Sequence, residues 1–446
     1  MSPGRRADGP RAVVTGVGVV SAWGWGRQPF WDGLLSGETA IGGFSRFEHT
    51  LYRTHVAGEV PPPPAGLAAS IPGWRHLSWA DRFAVAAARE ALEQAGLNAP
   101  APGPGERTAG RASLASTADA AVFFGSSTGG MLEGEEWYRR LRGDAAGRAS
   151  LGLVAAQQVS APGDAVARFF DCGGPVETVS SACASGALAL ARALDAVRSG
   201  ETDIALAGGA DSLCRVTYGG FNSLRSVDER PCLPFRADRA GLSIGEGGAV
   251  LVVENAERAA ARGARPLVGL LGAGASSDAS HMTAPHPEGE GAARALSRAL
   301  ADAGIPPAEI VFVNAHGTGT PLNDAAEWRA LAAVFGAAAA ARLPVTATKG
   351  AVGHLLGTAG AIEAAATVLS LVCRVVPPTP GGGEVDAGSP VDLVRGAARR
   401  LDGPRAANEA TAAVSLNLAF GGCNAALVFA RWPDAPPAAA AIESRA

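Results

Sequence analysis

What this chain lacks narrows its possible roles before any motif is considered. Its first residues, Met1-Ser-Pro-Gly-Arg-Arg, have no apolar core of the kind a signal peptide carries. No apolar run of membrane-spanning length is free of charge; Ala359–Val376 comes closest, and Glu363 and Arg374 interrupt it. A membrane protein is therefore not expected. The formal net charge of −4 leaves no broad basic face, which argues against nucleic acid as a partner. The six cysteines (172, 183, 214, 232, 373 and 423) form no C-x-x-C pair and keep no metal-ligand spacing with the seven histidines. No metal site is expected, and the reducing cytoplasm is the expected compartment. Lysine is far rarer than arginine, which points to a GC-rich genome and says nothing of chemistry.

What is present suits a globular enzyme. Hydrophobic residues make up 47% and charged ones 18% of 446 residues, enough for two ordinary domains or one large duplicated unit. Arg11–Val20 reads as a strand ending in Gly16-Val-Gly-Val-Val-Ser21. It resembles a dinucleotide loop, but the third glycine is missing and no acidic partner follows a second strand, so a cofactor of that kind is not expected. A helix is predicted from a Ser78 cap to Gly96, with Asp81 in its first turn. Residues 1–10 read as a loose tail, Asn98–Asp119 as an exposed Pro/Gly/Ser/Ala-rich excursion, and Pro433–Ala446 as a disordered tail.

One stretch organises the chain: Val176-Glu-Thr-Val-Ser-Ser-Ala-Cys-Ala-Ser-Gly-Ala-Leu-Ala-Leu190. A β-prone run ends at Ser180–Ser181, and a helix predicted to open at Cys183 runs to Ser199–Gly200. Its apolar residues fall on nearly every side, so the helix should be buried. A cysteine at such a terminus meets unpaired N–H groups and the positive end of the helix dipole, which favour the thiolate. A nucleophile and an ordinary buried thiol both fit that local context.

Three further stretches are built like parts of a site. Asn314-Ala-His-Gly-Thr-Gly-Thr320 places His316 in a glycine-rich turn after the strand Ile310–Val313, with Thr318 and Thr320 beside it. Lys349-Gly-Ala-Val-Gly-His354 follows the strand Val345–Thr348, and Glu363 lies nine residues further on, on a helix over Thr358–Val372. Leu418-Ala-Phe-Gly-Gly-Cys-Asn424 is a glycine loop whose amides can line a cavity. Either histidine alone reads as a satisfied strand-end group. Two of them with a helix-terminal cysteine fit an activated nucleophile with polarising partners.

The chain also echoes itself. Arg89-Glu-Ala-Leu-Glu-Gln-Ala-Gly-Leu97 precedes a proline-bearing loop and the strand Val122-Phe-Phe; Arg298-Ala-Leu-Ala-Asp-Ala-Gly-Ile305 precedes prolines and Ile310-Val-Phe-Val313. Helix, glycine stop, loop and buried strand recur, so two duplicated halves of layered α/β structure are expected.

Cys183 in Ser-Ala-Cys-Ala-Ser-Gly, His316 in Asn-Ala-His-Gly-Thr-Gly-Thr and the series Lys349, His354, Glu363 resemble the signature of β-ketoacyl-ACP synthases of the elongating type. The likeness covers about residues 11–432, with Val14-Thr-Gly-Val-Gly and Ser276-Ser-Asp-Ala-Ser-His-Met-Thr283 included. It implies an α/β thiolase fold, duplicated halves in an αβαβα five-layered sandwich, here an N-terminal half over 11–264 and a C-terminal half over 265–432, usually dimeric. It implies that Cys183 takes an acyl group from the phosphopantetheine of an acyl-carrier protein, no cofactor being bound by the protein itself. Cys183 and Phe420 would supply oxyanion-hole N–H groups, with Phe420 as a gate. His316 and His354, kept neutral, would hold the malonyl thioester during decarboxylation, and Lys349 paired with Glu363 would order the His354 loop. Thr318 and Thr320 would hold the pantetheine arm, Thr128 and Phe221 would line the substrate path, and Arg225 and Arg148 would meet the acidic carrier. Ala419, Ala240, Leu242 and Thr128 depart from the fatty-acid pattern and favour a polyketide or specialised fatty-acid pathway, with the subunit a homodimer or paired with a ketosynthase-like chain-length factor. A non-catalytic partner subunit of the same fold is the alternative; such partners usually lack the cysteine.

Overall fold

The computed structural model describes residues 11–97, 116–143, 151–401 and 411–442. The expected tail over 1–10, most of the excursion over 98–119, and Arg148 lie outside the described residues. Ten strands form the body of one large sheet: β1 Ala12–Ser21, β2 Ala121–Gly125, β3 Val176–Val179, β4 Ile204–Asp211, β5 Gly247–Asn255, β6 Val268–Ser277, β7 Ile310–Asn314, β8 Pro344–Thr346, β9 Ala412–Leu418 and β10 Cys423–Arg431. Their order is β8-β7-β9-β10-β6-β1-β5-β4-β2-β3, with the short strand Asp392–Leu393 beyond β8.

The duplication is visible in the pairing. In the first half β3 and β4 flank β2 in parallel, β4 pairs β5 antiparallel, and β5 pairs β1 antiparallel. In the second half β8 and β9 flank β7 in parallel, β9 pairs β10 antiparallel, and β10 pairs β6 antiparallel. The same order and the same directions recur, and the halves meet where Val13 and Val14 pair with Gly269 and Val268. Strands such as β5 and β10 are apolar on both faces, as they must be when helices cover both sides of a sheet.

Six helices matter for the site. α1 Trp79–Ala95 and α4 Glu290–Ala303 cover corresponding strands, β1 and β6, one in each half. The cap predicted for α1 is present: Asp81 N donates to Ser78 Oγ and Ser78 N to Asp81 Oδ2, both at 3.0 Å, and Gly96 closes the helix in the left-handed region. α3 Arg215–Ser223 and α5 Pro321–Phe335 lie near the site. α2 Ser185–Ser199 and α6 Ala359–Cys373 form the central layer, each touching strands of both halves. The segment Leu356–Cys373 is long and apolar enough to cross a membrane, yet 94% of it is buried inside the protein, which makes it a core helix.

The central pair meets nearly backbone to backbone. A Cβ on Gly186 would stand 2.7 Å from Ala361 N, and one on Gly360 2.5 Å from Ala187 N. Only small residues permit that approach, and it draws the N-terminus of α2, with Cys183, toward the N-terminus of α6, with His354. The glycines of the dinucleotide-like motif also serve packing: Gly16 and Gly18 lie inside β1, and a Cβ on Gly18 would meet Ala87 O of α1 at 1.9 Å.

The C-terminal stretch departs from expectation. Ala438–Ile442 forms a short helix, α7, rather than part of a loose tail, with Ala441 fully buried. The Ala441 carbonyl oxygen accepts from Arg27 Nε at 3.1 Å and from Gln94 Nε2 at 2.7 Å, tying this end back to the first half. The apolar run Ala438-Ala-Ala-Ala-Ile442 supplies the buried surface that the sequence reading passed over.

Candidate active site

Cys183 sits in the turn between β3 and α2, and the helix begins two residues later than predicted, at Ser185. The residue before it, Ala182, adopts the left-handed region at φ 47°, a conformation that costs a non-glycine residue about 1–3 kcal/mol. Ser185 holds this elbow: its Oγ donates to Ala182 O at 2.6 Å and accepts from Ser181 N at 2.8 Å. Burial pushes the Cys183 thiol up to about 11, while the charge of Lys349 and the N–H groups of Phe420 and of Cys183 itself pull the other way. This reverses the sequence expectation of a favoured thiolate, because loss of water outweighs the field at the helix terminus. The N–H groups of Cys183 and Phe420 are thus near enough to the sulfur to favour its charged form.

His316 follows β7 in a turn held from below by α5. Its N–H donates to Glu327 Oε1 at 2.6 Å and the Gly317 N–H to Glu327 Oε2 at 2.8 Å; the N–H groups of Thr318 and Gly319 donate to Asp324 Oδ1 at 3.1 and 3.2 Å. Both acids are fully buried, and burial raises Glu327 to about 8. The Thr318 and Thr320 hydroxyls stand 2.9 Å apart beside the turn, and Thr320 caps α5.

Lys349 is buried three residues beyond β8, at the start of a one-turn helix, Lys349–Val352. Its Nζ donates to His316 O at 2.6 Å, lies 3.0 Å from His316 Nδ1, and is paired with Glu363 on α6. The second Glu363 oxygen accepts from Asn417 Nδ2 at 2.5 Å. Burial raises Glu363 to about 7 against the pull of Lys349 and Asn417. The side chain of Lys349 reaches His316 rather than His354, while the Lys349 carbonyl oxygen accepts from Gly353 N at 2.9 Å and so ties the turn just before His354. His354 is held by backbone, its N–H donating to Ser243 O at 2.7 Å, its carbonyl accepting from Gly245 N at 2.9 Å, and its Nδ1 accepting from Leu356 N at 3.0 Å.

Those contacts fix both tautomers. An amide N–H and an ammonium can only donate, so each Nδ1 is an acceptor and each Nε2 carries the proton. Burial and the charge of Lys349 hold both rings well below the ordinary histidine range, hence neutral. The rings stand 5.4 Å apart, nearly perpendicular, and one nitrogen of each lies with Cys183 Sγ inside a 4.8 Å triangle. With both Nδ1 atoms engaged, Nε2 is what each ring presents to that space.

Phe420 lies on the glycine loop and meets Phe221 of α3 at 5.5 Å between ring centres. Gly421 and Gly422 take positive φ, and Gly421 N donates to Met282 O at 2.7 Å. Ala419 is extended (φ −125°), a conformation any residue adopts, so its Cβ costs nothing in this state. The hydroxyl of Thr128 is taken by Asp211 Oδ1 at 2.9 Å, leaving only its methyl for a substrate path. Arg225 is exposed just past the end of α3.

Two family models match the chain: the β-ketoacyl synthase N-terminal domain over residues 10–259 and its C-terminal domain over 268–382. The chain belongs to the β-ketoacyl synthase family. It is 34% identical over 428 residues to 3-oxoacyl-[acyl-carrier-protein] synthase 2 of Staphylococcus aureus, covering 95% of this chain and 98% of the relative. The same-named protein of Vibrio cholerae is 32% identical, covering 94% and 99%. Among solved structures, the ishigamide ketosynthase/chain length factor aligns at TM-score 0.85 with 33% identity, over 95% of this chain and 100% of that one. A type II polyketide acyl-carrier protein in complex with its ketosynthase aligns at 0.79 with 25% identity, over 95% and 100%. This β-ketoacyl synthase is thus an acyltransferase of the thiolase fold.

Several residues that shape its site escaped the sequence reading. Asp324 and Glu327 sit eight and eleven residues after His316, and two acids one helical turn apart behind a glycine turn were a usable signal. Asn417 and Ser243 gave none, since their partners Glu363 and His354 are distant in the chain. Asp211 is fully buried and gathers Ser126, Ser127, Thr128, Gly129 and Thr358 around one carboxylate, joining the two halves beside the Cys183 turn, where Ser127 Oγ donates to Ala182 O at 3.2 Å.

Proposed function

We propose that this β-ketoacyl synthase elongates acyl chains by decarboxylative Claisen condensation, with Cys183 as nucleophile. The observation that carries this is the buried cluster in which Cys183 Sγ and one nitrogen each of His316 and His354 lie within 4.8 Å of one another, with both Nδ1 atoms engaged elsewhere. The Cys183 sulfur attacks the thioester carbonyl of an acyl group on carrier phosphopantetheine; the carbon–sulfur bond to the carrier breaks and its thiol takes the proton. The N–H groups of Cys183 and Phe420 stabilise the developing oxyanion, each such donor typically contributing ~3 kcal/mol. A malonyl thioester then enters, its oxygen held by His316 Nε2–H and His354 Nε2–H. Carbon dioxide leaves, the electron pair forms the enolate, and its carbon attacks the acyl carbonyl. The bond to Cys183 breaks and the thiolate is reprotonated from solvent.

Lys349 and Glu363 act by positioning His316. Thr318 and Thr320 take the pantetheine arm, Phe221 and the Thr128 methyl line the path, and Arg225 meets the acidic carrier. No cofactor is required by these steps. The relatives' substrates and partners point to a carrier-dependent polyketide or specialised fatty-acid pathway, with this subunit in a homodimer or beside a chain-length factor. The cytoplasm suits its six unpaired cysteines. The presence of Cys183 at the site disfavours a non-catalytic partner role.

Cys183→Gln tests the assignment. Its neutral carboxamide occupies the space of an acyl-cysteine, so condensation and self-acylation should stop while release of CO2 from malonyl-carrier continues. Adding His316→Ala should cut that release by ~10²–10³. Continued condensation by Cys183→Gln would remove Cys183 as nucleophile.

A further inference from the structure

Cys183, His316 and His354 form the kind of cluster that ordinarily captures a thiophilic cation. One sulfur and two imidazole nitrogens lie within 4.8 Å of one another, all buried. Tetrahedral zinc with sulfur and nitrogen ligands needs donors about 3.3–3.6 Å apart, a spacing small side-chain rotations would reach from here. A trace of zinc would then occupy the nucleophile itself.

The surroundings of the rings are the reverse of those in a metal centre. A ligating histidine gives its lone pair from one nitrogen and donates the other N–H to a carboxylate, carbonyl or water. Here the second nitrogen of each ring faces a donor. His354 Nδ1 takes the Leu356 N–H at 3.0 Å, and Leu356 is turned toward it by a left-handed backbone at φ 53°. His316 Nδ1 lies 3.0 Å from the Lys349 ammonium, which is anchored by the His316 carbonyl and Glu363. For Nε2 to bind a cation, the proton would have to move to Nδ1 and point at an N–H, or leave the ring altogether. Neither has a stable partner in this packing.

The geometry points to a metal-excluding triangle: the Leu356 N–H and the Lys349 ammonium lock both histidines with Nε2 protonated, and so keep zinc off Cys183. The lock on His316 is a side chain and can be removed; the one on His354 is backbone. Lys349 is thereby a positioning residue with a second effect beyond orienting His316. The inference concerns the same side chains as the proposed function, but its readouts do not depend on condensation.

The test uses the full chain and zinc ion as the probe. Ring nitrogens labelled with ¹⁵N should show pyridine-type Nδ1 and pyrrole-type Nε2 signals for His316 and His354, unchanged by excess zinc. Iodoacetamide should alkylate Cys183 at the same rate with and without zinc, read by peptide mass. In Lys349→Met, zinc should slow that alkylation by about tenfold or more relative to the same variant without zinc. Zinc protection of Cys183 in the unmodified chain, or Nδ1–H tautomers, would overturn the inference. So would a folded Lys349→Met protein whose Cys183 is indifferent to zinc. If that variant does not fold, the ring spectra and zinc titration of the unmodified chain decide alone. Loss of condensation activity with the tautomers intact would count against the proposed function and leave this inference standing.

Discussion

The ammonium of Lys349 stands 3.0 Å from His316 Nδ1 and 2.6 Å from the His316 carbonyl oxygen, although His354 is its neighbour in sequence. The two histidines are therefore held by different devices, one by a buried ion pair and the other by main-chain amides, and they should respond to different substitutions.

Lys349→Met and Glu363→Gln should each lower CO2 release from malonyl-carrier, assayed in the Cys183→Gln background. The double variant should be little worse than the more damaging single one, because both act through one ion pair on one ring. Losses that add in free energy would show separate roles.

The buried thiol predicts a displaced pH profile. Alkylation of Cys183 should keep rising past pH 9.0, the ordinary thiol value, toward a midpoint near 11, since burial favours the neutral form. Lys349→Met should move the midpoint higher still, because the cation that favours the thiolate is gone. A plateau by pH 9 would mean that the free enzyme stabilises the thiolate after all.

Thr128→Val keeps the shape but strands part of the Asp211 carboxylate. It should lower stability by about 1–3 kcal/mol, measured by denaturant unfolding. Thr128→Phe should in addition shorten the products if the methyl lines the acyl path; an unchanged product profile at retained activity would remove it from that path.

Truncation after Trp432 removes α7 and with it the acceptor shared by Arg27 and Gln94. The melting temperature should fall by roughly 2–5 °C with the acylation site chemically intact. An unchanged melting curve would show that the strap is not needed.

The parts of the site were legible because they sit at strand ends in glycine-rich turns, where local sequence is chemically conspicuous. Cys183, His316, Lys349 and His354 all stand out that way, while Glu363 was reached only by its spacing after His354 along α6, and the echoed helix–strand unit anticipated the repeated strand order. Which histidine Lys349 serves was not legible, since 33 residues separate Lys349 from His316 and the fold alone brings them together. The thiol's state was misread for a related reason: a helix terminus is visible in sequence, but the burial that opposes it is a property of two helices meeting at Gly186 and Gly360. α7 was missed because alanine runs after a proline read as a tail unless a groove awaits them.

Lys349 is the only lysine in the 446 residues, and it is 1% exposed. The folded protein therefore offers its surroundings no side-chain amine, only guanidinium groups, which resist acylation at neutral pH. An enzyme that works among activated acyl thioesters is thereby spared their stray attack on its surface. It also follows that an amine-reactive label on this side chain would report only molecules that had opened as far as the buried Lys349–Glu363 ion pair.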